Sequence, residues 1–205
     1  MRLLCIGAHS DDLEIGCGGT ILTWLANIPK LEVTWVVLSA EGVRASEARR
    51  SARALLARAA TSKVLIADFR DCFLQSQYAE VKGYFENLRK EVDPDIVLTH
   101  WLQDRHQDHR LAAELTWNTW RNHLVLEYEI PKYEGDLVTP NVYVPISASL
   151  ARRKVGHLKR CFSSQRSKDW FAADTFLGLM RLRGLESRSQ SGFAEAFHAR
   201  KLVFS

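Results

Sequence analysis

Two short strings hold the residues whose types and spacing could do chemistry. His9, Asp11, Asp12 and Glu14 follow the apolar run Leu3 to Ile6 and the break at Gly7, within HSDDLEIGCGGT; His106, Asp108 and His109 lie far down the chain in RHQDHR. One imidazole and two adjacent carboxylates at the tip of a core strand are costly to bury without a partner. A divalent cation satisfies all three at once. The bland readings are a helix cap for Asp11 or Asp12 and a dinucleotide-binding turn for the glycines. The second does not fit, because Gly16, Gly18 and Gly19 miss the G-x-G-x-x-G spacing and the next strand ends near Ser39 with no acidic residue for a ribose.

The elements that must position these strings can be read from periodicity. Leu3–Ile6 is a buried strand, the HSDD cluster and glycines form a polar loop, and Thr20–Leu25 begins a helix. Leu31–Leu38 (LEVTWVVL) is the β-branched run of a doubly covered parallel strand. Residues 44–60, rich in Ala, Leu, Glu and Arg, predict a helix. Lys63–Phe69 is a third strand, Glu80–Glu91 a third helix stopped at Asp93-Pro94, and Asp95–His100 (DIVLTH) a fourth strand. The RHQDHR loop then leads into a helical pattern over Leu111–Trp120.

Four strand–helix alternations with short links predict βαβ units in a Rossmann-like, doubly wound, mainly parallel α/β sheet flanked by helices, of order 3-2-1-4 with later strands added. Beyond residue 124 the pattern loosens. Leu124–Ile130 reads as a strand, Pro131–Pro145 as irregular, Ser149–Phe162 and Asp169–Arg183 as helices, and FAEAFHARKLVF as one or two returning strands. The expectation is one domain over 1–205, with residues 1–125 as the core and 126–205 as an extension covering the substrate.

In that strand order, strands one and four are neighbours, and the crevice between their C-terminal ends is the switch point where ligands bind. Topology therefore brings His9, Asp11 and Asp12 beside His106, Asp108 and His109. A catalytic zinc site takes three N or O ligands and leaves one position open. His9, Asp12 and His109 supply two imidazoles and a carboxylate, and Asp11 is left over as a general base. His106, oriented by Asp108, is placed to stabilise an oxyanion or protonate a leaving amine. These parts describe metal-assisted hydrolysis of an amide.

HSDDLEIGCGGT resembles the A-H-P-D-D motif, and HQDHR the H-P-D-H motif, of the PIG-L/LmbE family of zinc-dependent N-deacetylases. The resemblance covers roughly residues 1–125, with Ser10 and Gln107 where the family motifs carry proline; neither proline supplies a ligand atom. It implies removal of acetyl from an N-acetylated amino sugar or its conjugate. It further implies zinc at His9, Asp12 and His109, Asp11 as base, and His106 by the oxyanion held by Asp108. Arg44 and Asp71 match substrate-contacting positions of the family, while Glu195 and His198 are left without a role. A His₂-carboxylate set also suits Fe(II). A metal-dependent hydrolase of a non-sugar amide, or a non-catalytic nucleotide- or sugar-binding module, are the alternatives.

Composition narrows the class further. With 46% hydrophobic and 25% charged residues the chain reads as a globular protein, and no apolar stretch approaches a membrane span. MRLLCIGAHSDD runs directly into the first motif, and Cys5, Cys17, Cys72 and Cys161 form no C-x-x-C pair, so a cytoplasmic protein with reduced thiols is expected. Residues 151–205 hold twelve Lys and Arg against four acids. That excess suits an anionic substrate or an acidic surface, although a solvated helix face is its ordinary meaning. No groove-binding motif accompanies it, so nucleic acid is not expected as a partner. Oligomeric state is not legible, a homo-oligomer included.

Overall fold

The computed structural model describes residues 1–203. Strand β1 (Arg2–His9) runs straight into helix α1 (Asp12–Asn27), followed by β2 (Glu32–Ser39), α2 (Gly42–Leu55), β3 (Thr61–Ile66), α3 (Tyr78–Glu91), β4 (Ile96–His100) and α4 (Gln107–Thr119). Then come β5 (Leu124–Tyr128), β6 (Val142–Pro145), α5 (Ala148–Cys161), α6 (Ala173–Glu186) and β7 (Ala194–His198). The sheet has the order β3-β2-β1-β4-β5-β7-β6. Its first five strands are parallel, and β7 joins β5 and β6 antiparallel. The 3-2-1-4 core is thus present, with three strands added beyond β4. Among the described residues no helix is long and apolar enough to cross a membrane.

Alternation along β1 explains the two layers. Leu3 and Cys5 face one hydrophobic core with residues of α1, α2, α5 and α6, while Leu4 and Ile6 face the other with Val81, Phe85, Leu111 and Leu115 of α3 and α4. Both faces are covered, which is why β1 and β2 are nearly continuous apolar runs.

The structure departs from the sequence expectation at four places. The segment Asp12–Thr20 is helix, not loop, so α1 begins at the second aspartate. Helix α4 likewise starts at Gln107, with His106 as its N-cap. Val142–Pro145, inside the stretch expected to be irregular, is a strand because it pairs with β7 from Ala194 to Phe197. The last helix starts at Ala173, with Ser163–Gln165 forming a separate 3₁₀ turn before it. As expected, FAEAFHARKLVF returns a strand to the sheet, β7; Phe204 of that stretch lies outside the described residues.

Two of the glycines of α1, Gly16 and Gly19, are there for close approach. A Cβ on Gly16 would lie 2.2 Å from Cδ2 of Tyr128, and one on Gly19 would lie 2.5 Å from Ile146 Cδ1. Tyr128 is fully buried and donates its hydroxyl to the Ile6 carbonyl at 2.8 Å, so its ring has nowhere to go. Glu195 uses the same gap. Its carboxylate accepts the Gly19 and Thr20 amides at 2.8 and 2.7 Å and pairs with Lys154 at 2.6 Å, all buried. Gly16→Ala is therefore expected to cost about 1–3 kcal/mol by overpacking. Gly83→Ala in α3, where an added Cβ meets nothing within 4 Å, should gain up to about 1 kcal/mol from helix propensity. Urea unfolding of both variants checks the opposite signs; a neutral Gly16→Ala contradicts the packing argument.

A buried polar chain ties α1, α2 and α5 together. Ser51 donates its hydroxyl to Glu14 and accepts from His157 Nε2 at 2.7 Å, and Cys161 Sγ lies 3.9 Å from His157 Nδ1. Burial, with Arg160 and Arg153 nearby, pushes the His157 pKa down to about 4. An unfolded histidine titrates near 6.5, so the unfolded chain binds the extra proton first and stability falls as pH drops from about 6.5 towards 4. Burial pushes the neighbouring Glu14 up to about 8, which acts in the opposite direction at higher pH. His157→Gln keeps a donor for Ser51 and cannot titrate. Between pH 7 and 4.5 it should lose about 2 kcal/mol less stability than the parent; equal losses would remove His157 from the acid response.

Candidate active site and metal centre

The clusters meet at the C-terminal ends of β1 and β4, as the strand order requires. His9 is the last residue of β1, and Asp12 opens α1, with its Oδ2 accepting the His9 amide at 2.6 Å. His109 lies in the first turn of α4. The three side chains converge. His9 Nδ1 is 3.4 Å from Asp12 Oδ2, His109 Nε2 is 3.6 Å from the same oxygen, and the two nitrogens are 3.2 Å apart.

Hydrogen bonds on the far sides of both rings assign their tautomers. His9 Nε2 donates towards Asp71 Oδ1 at 3.1 Å and Asp108 Oδ2 at 3.2 Å, which turns Nδ1 towards Asp12 and His109. His109 Nδ1 donates to Asp104 Oδ2 at 3.0 Å, leaving Nε2 with a lone pair. Two ring nitrogens and a carboxylate oxygen thus converge on one small space, an arrangement that calls for a positive charge among them. A tetrahedral ion with bonds of about 2.0–2.2 Å has ligand–ligand edges of about 3.3–3.6 Å. The observed triangle fits, and carboxylates on the outer nitrogens of ligating histidines are the usual support of such a site.

The charges follow. Burial lowers the His109 pKa to about 3, with His100 adding to the effect, so this ring is neutral and able to ligate. Burial opposes a charge on His9, but Asp12, Asp108 and Asp71 outweigh it and hold the ring well above its ordinary value. Burial opposes the charge on Asp12, but the positive charge on His9 holds its carboxylate well below the ordinary range.

Asp11 is arranged differently. Its Oδ1 accepts from Arg44 at 2.9 Å, while Oδ2 is buried with no hydrogen-bond partner among the described residues. Burial raises its pKa, with Arg44 pulling the other way. Arg44 also donates Nε to Ser10 at 2.8 Å, so the guanidinium expected to meet substrate is largely spent on orienting Asp11. Asp71, expected to meet sugar hydroxyls, places Oδ1 on His9 and is held low by that bond. Its side chain is 54% exposed, and both residues line the same cleft.

One expected contact is different. The Asp108 carboxylate does not hold His106; it accepts the amides of Cys72 at 2.8 Å and Leu74 at 3.2 Å and faces His9. What holds His106 is the Asp108 backbone N–H, donating to Nδ1 at 3.3 Å. The cause is capping: His106 takes the N-cap of α4, where a side-chain acceptor meets the amide two residues on. Nε2 is then the protonated nitrogen. Burial and the nearby His9 lower the His106 pKa, so it is a neutral donor. Its ring stacks on His109, with centroids 4.5 Å apart.

Two residues of the site escaped the sequence reading. His100, the fully buried last residue of β4, places Nε2 3.1 Å from Asp12 Oδ2 and 3.0 Å from the Ala8 amide nitrogen, closing the site behind Asp12. Asp104 accepts from the His106 amide at 2.8 Å, His109 at 3.0 Å and Lys132 at 2.9 Å, joining the motif loop to the segment after β5. A histidine ending an otherwise apolar strand at the switch point was the available signal for His100; a single loop acid gave none for Asp104. Neither Glu195 nor His198 lines the cleft, which encloses about 280 Å³ and takes its outer wall from residues 130–134 and from Gln165, Lys168 and Trp170.

A doubly wound sheet with a His₂-carboxylate cluster and a free aspartate at its switch point defines an α/β protein built around a candidate mononuclear metal centre. The chain belongs to the PIG-L family: the family model, described as GlcNAc-PI de-N-acetylase, matches residues 4–120. The match spans β1 to the end of α4 and includes both motif strings. Solved structures share the fold over nearly the whole chain. N,N'-diacetylchitobiose deacetylase from Pyrococcus horikoshii aligns with TM-score 0.68 and 21% identity over 97% of this chain and 83% of its own. A deacetylase of the teicoplanin biosynthetic pathway gives 0.74 and 17% over 97% of both chains. GalB, the 4-carboxy-2-hydroxymuconate hydratase of Pseudomonas putida KT2440, gives 0.76 and 19% over 100% and 98%.

Proposed function

We propose that this protein is a metal-dependent N-deacetylase acting on an N-acetylated amino sugar or its conjugate. The observation that carries this reading is the triangle of His9 Nδ1, Asp12 Oδ2 and His109 Nε2 beside the unpartnered, buried Oδ2 of Asp11. Family membership and the deacetylases among its structural neighbours support it. Zinc is the expected ion, with Fe(II) suited to the same ligands.

The cation, when bound, polarises the amide carbonyl and lowers the pKa of water towards about 7. The rest falls to side chains. Asp11, its Oδ1 fixed by Arg44, takes the proton of the attacking water at Oδ2; its raised pKa suits a base that must also give the proton up. As the C–N bond breaks, that proton passes to the leaving amine. His106, neutral and protonated at Nε2, donates a hydrogen bond to the developing oxyanion. Arg44 thus acts mainly through Asp11, and Asp71 mainly through His9, each with a face on the cleft. Residues 130–134 and 163–170 form the substrate-covering part of a single domain.

A second reading has a specific observation behind it. The alignment with the hydratase GalB covers 100% of this chain, and the same base could activate water for addition to a carbon–carbon double bond. Acetate release separates the two. The metal-replete protein should release acetate from N-acetylglucosamine conjugates in preference to N-acetylated amines that are no sugars. Hydration of an unsaturated acid with no acetate release from any amide would transfer the site to the second reading.

A further inference from the structure

The outer wall of the cleft carries a built subsite on the far side from the metal triangle. Glu47, buried in α2 one turn after Arg44, pins the 3₁₀ turn: it accepts from Ser163 Oγ at 2.8 Å, the Ser164 amide at 3.0 Å and Ser164 Oγ at 2.6 Å. Ser164 Oγ in turn accepts Gln165 Nε2 at 3.0 Å. That bond fixes which way the amide faces. Gln165 is only 3% exposed, lines the cleft, and its Oε1 has no partner among the described residues. A buried acceptor left unpaired is disfavoured, and a hydroxyl or N–H of a ligand would satisfy it.

Lys168 and Trp170 complete the same wall. The Lys168 ammonium stands 5.7 Å from the centre of the Trp170 ring. No carboxylate pairs with it among the described residues, whereas the other two cations of the cleft are engaged, Arg44 with Asp11 and Lys132 with Asp104 and Asp136. The free cation of the cleft is therefore on the wall, next to an aromatic face and an unpaired acceptor. An indole face suits the C–H face of a pyranose, the amide oxygen suits a hydroxyl, and the ammonium suits an anion.

We infer that Gln165, Trp170 and Lys168 form a subsite for a phosphate-bearing N-acetylhexosamine, with Lys168 reading the phosphate. The inference rests on the deacetylase reading for the reaction but not for the binding. The test compares N-acetylglucosamine 1-phosphate and 6-phosphate with the neutral methyl glycoside, by acetate release and by calorimetric binding. One of the two phosphates should exceed the neutral sugar by about tenfold in kcat/KM and in affinity, the scale of one charge-assisted hydrogen bond, and which one does so locates the phosphate. In Lys168→Gln, an exposed position where folding is not at stake, that ratio should fall to about one.

Equal use of charged and neutral sugars by the parent protein, or an unchanged ratio in Lys168→Gln, would overturn the subsite while leaving the deacetylase standing. Selective phosphate binding lost in Lys168→Gln, with no acetate released from any sugar, would uphold the subsite and sink the deacetylase. No binding preference and no acetate would remove both.

Discussion

Asp11→Asn should retain its metal and lose between about 10²- and 10⁴-fold in kcat, the usual worth of a positioned general base. The side chains are nearly isosteric, and Asp11 is not one of the three converging ligand atoms. Its Oδ1 can still accept from Arg44 as an amide oxygen, so the loop geometry, presently fixed at 2.9 Å, should survive. What disappears is the unpartnered Oδ2 and its capacity to take a proton. KM should change little, because the carboxylate serves the transition state more than the bound ground state. A metal-replete Asp11→Asn protein with near-parental turnover would remove Asp11 from the mechanism.

His109→Ala should lose the metal and the activity together. Three ligand atoms at edges of 3.2 to 3.6 Å leave no redundancy. His100 Nε2, behind Asp12, accepts the Ala8 amide at 3.0 Å, so its lone pair is already engaged. Removing the ring also takes one of its two partners from Asp104 Oδ2 and leaves Lys132, so the segment after β5 should loosen against α4. Turnover should fall at least as far as in Asp11→Asn, here with the metal gone. Retained metal with lost activity would mean that other atoms hold the ion.

Much of this is legible in the sequence, and the residues show why. β1 to β4 are short apolar runs separated by turn and helix signals, and parallel burial on both faces leaves them little freedom to be anything else. Once their order is 3-2-1-4, His9 and His109 must meet. The helical nature of Asp12–Thr20 is not legible because three glycines argue locally for a loop; only the tertiary contacts with Tyr128, Ile146 and Glu195 explain Gly16 and Gly19. β6 exists through its pairing with β7 and has no periodicity of its own. The direction of the Asp108 carboxylate depends on where Cys72 and Leu74 present their amides, a fact about the loop after β3 that no spacing encodes. Gln165 is a polar residue in a polar stretch until Ser164 and Glu47 are seen to aim it.

The most direct test of the central claim is a metal titration of the chelator-stripped parent protein, followed by acetate release from an N-acetylglucosamine conjugate. If His9, Asp12 and His109 form one mononuclear site that drives amide hydrolysis, activity should be absent at the start. It should rise in proportion to added zinc or Fe(II) and break sharply at about one ion per chain. The same titration of His109→Ala should stay flat. Full acetate release from the stripped protein, or an equal rise in His109→Ala, would contradict the account.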